Sequence, residues 1–461
     1  MAKSFPWLFS LFVVTLSGCA SYQPKPLVPH DVLRDLQRVR LETLAVSQTH
    51  ASEAGPPRFD LTDGVSSDEA VAVALFANPA LRAFRRERGV AEGEVVAAGV
   101  LPNPFLEVTW LHIENLTKSL ATSGFDIGLR WTPPRPGEIG AKRARAEARL
   151  AEVRAQIADE EWKLAADARK AHAAVLATQE RRRFADAALA LQGRVRRFLR
   201  DKRDLGDASR LEANLIELEY LETMREREAI LTEETRARQE LNRVLGLPPL
   251  TDVALQGADL TYRALRLDPG TLEAVMIDRR PDLHVAREVY EQAQQQLRLA
   301  HILRIPWLSF GPAWQRDGSA QEGVINKIGI GVGFEIPLSN LNHGELMRLD
   351  AARERLREAF AASVHTARAE VADALRALRA QERLVRLFED EIRPVLDENA
   401  QLTGAALELG DVNVLQFVTA QTRVLKSRRE FIEARLDYWK AVFDLERALG
   451  ARVTEVEGRE E

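Results

Sequence analysis

Four short stretches of this chain alternate apolar with polar or small residues at a period of two. Leu106, Val108 and Trp110 alternate with Glu107 and Thr109, and Phe125, Ile127, Leu129 and Trp131 with Asp126, Gly128 and Arg130. Ile328, Ile330, Val332, Phe334 and Ile336 alternate with Lys327, Gly329, Gly331, Gly333 and Glu335; the stretch Trp307–Trp314 is less regular and carries Pro312. This period predicts half-buried strands over about 104–112, 123–133, 305–315 and 324–337. Ten-residue segments with aromatics near their ends also suit an outer-membrane barrel. A first helix rich in Ala, Glu, Gln and Arg is expected over about 67–101 and again over 270–303, ended by Pro102 and Pro104 or by Pro306. After each strand pair comes a breaker-poor run, about 138–203 and 342–403. At ~1.5 Å per residue each would reach about 100 Å as a helix. Each run turns at Leu205-Gly206-Asp207 or Leu409-Gly410-Asp411 and returns as a helix of roughly 40 residues. Pro394 lies inside the second long helix without a counterpart in the first, and a kink is expected there.

The chain is one unit built twice. Asn78-Pro79-Ala80-Leu81 recurs as Arg280-Pro281-Asp282-Leu283 at an offset of 202, Pro104-Phe105-Leu106 as Pro306-Trp307-Leu308 at 202, and Leu205-Gly206-Asp207 as Leu409-Gly410-Asp411 at 204. The expected organisation is a signal peptide over 1–18, a lipidated extended leader over 19–65 and a first repeat over 66–247 with its helical hairpin at about 138–245. A connector follows over 248–269, then a second repeat over 270–450 with its hairpin at about 342–450, and a charged tail over 451–461. In each repeat the returning helix and the first helix together nearly match one long helix, so the shorter two can pack end to end against it.

The start of the chain changes the picture. Lys3, an apolar run from Phe5 to Leu16 and small residues before Cys19 read as a secretory signal too short to span a membrane. Leu16-Ser17-Gly18-Cys19 is similar to the lipobox of bacterial lipoproteins, which makes Cys19 the candidate lipidation site. Ala20 and Ser21, with no Asp after the cysteine, resemble an outer-membrane address. Cys19 is the only cysteine, so no internal disulfide exists. Net charge is −5 with 29% charged residues, which leaves no basic excess for nucleic acid. No other stretch is long and apolar enough for a spanning helix, so any crossing must be a β-barrel.

Four strands cannot close a barrel, since single-chain barrels begin at about eight. An open sheet in lipid would leave edge N–H and C=O groups unpaired at several kcal/mol each, so closure must come from other copies of the chain. Strand count alone leaves eight in a dimer and twelve in a trimer both open. The duplication, the helix–strand–strand–long helix–turn–helix order and the lipobox together resemble the TolC family of outer-membrane efflux proteins over about residues 65–450. The resemblance implies a mixed α and β membrane protein that forms a homotrimer, with a 12-stranded β-barrel in the outer-membrane lipid continuing into a periplasmic α-helical barrel. It also implies two partners, a periplasmic adaptor protein and an inner-membrane pump, and no cofactor. Leu101-Pro102-Asn103-Pro104, Gly137–Arg143, Pro337–Gly344 and Gly410–Leu415 look like outer-membrane components of cobalt–zinc–cadmium efflux. Efflux of drugs or other organic compounds, or type I secretion, is the alternative cargo class. In some relatives two aspartates after the second turn form the constriction; the positions here hold Gln416 and Thr419, so that acidic gate is not carried over. The aperture candidates are therefore Gly206, Asp207, Glu408, Gly410, Asp411, Gln416 and Thr419.

Other motifs take a plainer reading. The glycines of Ile328–Gly333 look like a nucleotide loop, but no helix follows, and lumen-facing glycines of a strand fit better. The eight histidines show no metal-ligand spacing; His112, His301 and His343 read as polar residues at strand or helix ends. Arg181–Arg183 and the basic run Arg194–Arg203 read as a solvated helix face, with adaptor docking as the sharper alternative. A non-channel helical lipoprotein scaffold leaves the repeated strands unexplained, and no nucleophile–base–acid set suggests an enzyme.

Overall fold

A computed structural model describes residues 22–39, 64–115, 120–205, 209–257, 260–319, 323–336, 341–409 and 414–457. Cys19, Gly206, Asp207, Gly410 and Asp411 lie outside the described residues, as do the signal segment and the end of the tail. The chain runs through α1 (Pro29–Gln37), α2 (Ser67–Ala77), α3 (Pro79–Arg85), α4 (Glu87–Ala98), β1 (Phe105–Asn115), β2 (Leu120–Arg130), α5 (Glu138–Leu205) and α6 (Arg210–Leu245). The second half follows as α7 (Pro269–Arg279), α8 (Pro281–Leu303), β3 (Leu308–Ser319), β4 (Gly323–Phe334), α9 (His343–Arg386), a π-helical turn (Leu387–Ile392), α10 (Arg393–Leu409), α11 (Val414–Leu449) and α12 (Val453–Glu457). The duplicated order expected from the sequence is the order observed.

One expectation is corrected. The first helix of each half is not continuous but breaks at Asn78-Pro79 and at Arg280-Pro281. Proline supplies no N–H for the preceding turn, yet its fixed φ suits the first position of a new helix. Each break receives the end of the returning helix. Gly246 ends α6 at φ 74°, and a β-carbon there would lie 2.7 Å from the Ala77 carbonyl oxygen. Gly450 closes α11 at φ 72° and would meet Arg279 and Arg280 as closely. The break residues then bind the last turns: Asn78 Nδ2 donates to the Val244 carbonyl at 2.9 Å, and an Arg280 guanidinium nitrogen to the Ala448 carbonyl at 3.1 Å. Asn78 also caps α3, its Oδ1 accepting from the Ala80 and Leu81 amides.

The long helix α5 spans 68 residues, about 100 Å, without interruption. Its far half packs on α6 and its near half on α2 and α4, while α8 of the second repeat lies along it too. The second repeat copies this with α11 and α8 against α9. The kink expected at Pro394 takes the form of the π-helical turn just before it. The proline cannot donate to the carbonyl four residues back, so the α-ladder loses a bond there. The main core joins both repeats, from Leu176 and Leu272 to Tyr438, Leu445 and Leu449.

Charges tie the seam between repeats. Arg169 on α5, buried, holds Glu446 of α11 at 3.0 Å, and Arg452 holds Asp68 at the start of α2. Burial pushes the Glu446 carboxyl up and the Arg169 guanidinium down, while hydrogen bonding from Arg452 holds Asp68 below the usual carboxylate range.

Candidate functional site

Two regions are candidates for function, the sheet and the hairpin tips. The sheet is a four-stranded antiparallel meander, β1-β2-β3-β4. Its register puts Val108, Ile127, Trp314 and Ile328 on one rung, and Leu106, Leu129, Phe310, Val332 and Phe334 on neighbouring rungs of the same face. That face is bare: Trp110 is 72% exposed, Ile330 78% and Ile328 85%. An apolar sheet face this open has no place in water. Along β4 and just past its end the apolar positions of this face run from Ile328 to Ile336, about 26 Å of strand at ~3.3 Å per residue, the length scale of a tilted outer-membrane barrel strand. Trp131 and Phe310 stack edge to face at 5.8 Å at the helical end of this band, and Trp131 Nε1 donates to the Pro102 carbonyl at 2.9 Å. The ring sits in the band with its polar atom satisfied at its margin.

The opposite face carries Glu107, Thr109, Gly128, Asp126, Arg130, Ser309, Gly311, Gln315, Asp317, Lys327, Gly329, Gly331 and Gly333; its apolar exceptions include Phe105, Leu111 and Ile325. Arg130 pairs with Glu107 at 2.8 Å and Lys327 with Asp317 at 2.7 Å. Pairing between β2 and β3 lapses opposite Gly311 and Pro312 and resumes at Trp131 with Phe310. Pro312 has no N–H to give the ladder. Gly311 is forced at this point, because a β-carbon there would fall 1.6 Å from the Leu129 carbonyl oxygen. The outer edges of β1 and β4 have no strand partner among the described residues.

At the other end, the tips are held by a small core of Val195 and Leu199 from α5, Ile216 from α6 and Phe417 from α11. Phe417 is 1% exposed, whereas the aperture candidates Gln416 and Thr419 lie exposed on α11. Thr419 Oγ1 donates to the Leu415 carbonyl at 2.7 Å, an ordinary helix back-bond. Glu408 is in the last turn of α10. The basic runs form a helix face that is partly ion-paired, with Arg183, Arg194 and Arg197 exposed to solvent. Arg181 pairs with Glu233, Arg182 with Glu234, and Arg196 and Arg200 share Glu217, so α6 neutralises much of α5. The two hairpins are also linked across equivalent positions, Glu219 to Thr422 at 2.8 Å and Glu226 to Arg429 at 3.2 Å. Sequence reading missed these links because their partners stand 203 residues apart. Among the described residues no cluster of His, Cys, Asp and Glu could hold a metal ion, and no helix is long and apolar enough to cross a membrane.

Comparison with known proteins agrees with this geometry. The signature of the family described as outer membrane efflux protein matches residues 275–451. The cobalt-zinc-cadmium resistance protein CzcC of Cupriavidus metallidurans is 23% identical over 419 residues, covering 88% of this chain and 95% of its own. Among solved structures, the outer-membrane channel OprN superposes with a TM-score of 0.69 at 18% identity, covering 84% of this chain and 90% of its own. CusC gives 0.67 at 16% over 94% and 99%, and the Neisseria gonorrhoeae MtrE outer membrane channel in its open state 0.66 at 15% over 87% and 95%.

Proposed function

We propose that the chain is a member of the outer membrane efflux protein family, whose signature matches residues 275–451, and that three copies form the exit duct of a tripartite efflux system. Each copy contributes four strands to a barrel in the outer membrane and two hairpins to a periplasmic helical tube. Cys19 carries the lipid anchor. The tips receive a periplasmic adaptor, which joins an inner-membrane pump, and the cargo is a heavy-metal cation, the class named for the CzcC relative. The duct is a passive conduit and not an enzyme.

The observation that carries this reading is the sheet, apolar and exposed on one face, polar and glycine-lined on the other, with both edges open. Lipid would cover the first face, water the second, and neighbouring copies the edges. The test is the full-length protein purified in detergent. It should run as a heat-modifiable oligomer of roughly three chain masses and conduct ions across a planar bilayer. A detergent-free monomer without conductance would overturn the duct. For cargo, a strain lacking the gene should lose tolerance to zinc, cobalt or cadmium; lost tolerance to an organic dye alone would favour the organic class.

A further inference from the structure

We propose that Asp126 gives the barrel lumen a preference for cations; this rests on the duct reading above. Asp126 stands on the polar face, on the rung of Thr109, Gln315 and Lys327, midway along the sheet. The other charges of that face are matched: Glu107 with Arg130, and Asp317 with Lys327. Asp126 has no ion pair or hydrogen bond among the described residues, and its Oδ1 is buried without a partner. Lys327 feels the field of Asp126 but directs its ammonium to Asp317. Glu335, just beyond β4 on the same side as Glu107 and Arg130, adds an acid at the helical end that has no ion pair among the described residues.

The surroundings make the charge count. On its own strand Asp126 is flanked on that face by Gly124 and Gly128, which carry no side chain, and Gly329 lies two residues from Lys327 on the same face. The low-dielectric apolar face lies behind the sheet, so field lines are directed into the water of the lumen. Three copies would place three Asp126 carboxylates at one height. Such a ring acts over about a Debye length, ~30 Å at 0.01 M salt but only ~3 Å at 1 M, so the preference should be strong in dilute salt and fade in concentrated salt.

The test is the reversal potential of the full-length protein in planar bilayers under a KCl gradient, at low and at high mean concentration. Wild type should favour potassium over chloride in dilute salt. Asp126→Asn should lower that ratio by about twofold or more. Lys327→Gln, which frees Asp317, should raise it. Both shifts should vanish in molar salt. Current with an unchanged reversal potential in both variants overturns the role of Asp126 and leaves the duct standing. No current from wild type overturns the duct reading itself. If a variant does not assemble, Asp126→Cys labelled with a neutral and with a cationic thiol reagent gives the same comparison. Equal ratios for the two labels also overturn the proposal.

Discussion

The two hairpins share one repeated pattern, yet only the first is built on a continuous long helix. The first rises on an unbroken helix, Glu138–Leu205. The second is interrupted by the π-helical turn Leu387–Ile392 and by Pro394. At the interruption Phe388 packs on Phe431 at 5.7 Å, and the Arg435 guanidinium lies 4.7 Å above the same ring. A missing ladder bond is thus compensated by side chains of the returning helix. Equal topology does not mean equal mechanics: one hairpin is a rod, and its twin is a rod with a joint.

The sharpest way to break this contrast is to remove what couples the joint to the rod. Phe417→Ala should cost about 3–5 kcal/mol, since a large aromatic leaves a shared core. Hydrogen exchange should accelerate more in α10 and α11 than in α5; equal acceleration would deny the difference in stiffness. Next, the proline can be transplanted. The repeat offset of 204 maps Pro394 onto Ala190, which is exposed. Ala190→Pro should cost about 3 kcal/mol in a thermal melt followed by circular dichroism, because no compensating aromatic pair awaits it. The converse, Pro394→Ala, should change stability by less than about 1 kcal/mol while narrowing the range of distances between spin labels placed on either side of the turn.

The breaks in the first helices offer a smaller test of equivalence. Asn78→Ala removes a helix cap and a buried bond and should cost about 1–2 kcal/mol, more than Glu94→Ala at an exposed position of α4. Smallest is the pH response of the seam. Asp68 sits below its ordinary pKa, so its pairing with Arg452 stabilises the fold above the unfolded value and is lost as pH falls through the folded one. Melting temperature should therefore fall on acidification through and below the usual carboxylate range. In Asp68→Asn that decline should be shallower.

Much of this was legible in the sequence. Period two in the strands and a steady offset between halves are local signals that survive without knowledge of neighbours. The breaks at Pro79 and Pro281 were not read, although both prolines had marked the repeat. Helix-favouring residues on either side mask the interruption, and its cause is the arrival of Gly246 and Gly450, residues distant in sequence. The arginine runs could be placed on a helix face but their partners could not be named, since Glu217 and Glu233 on α6 meet them only in the fold. Asp126 carried no signal at all. Only the folded side chains show it: Lys327 shares its rung but reaches diagonally to Asp317 instead, which leaves Asp126 without an ion pair among the described residues.

An even number of strands per chain has a topological consequence. In the proposed duct the last strand of one subunit and the first of the next would run in opposite directions, so the join between subunits would have the same hydrogen-bonding grammar as any join within one. Strand pairing is then indifferent to how many subunits close the circle. That number must be written in the curvature that the helices impose.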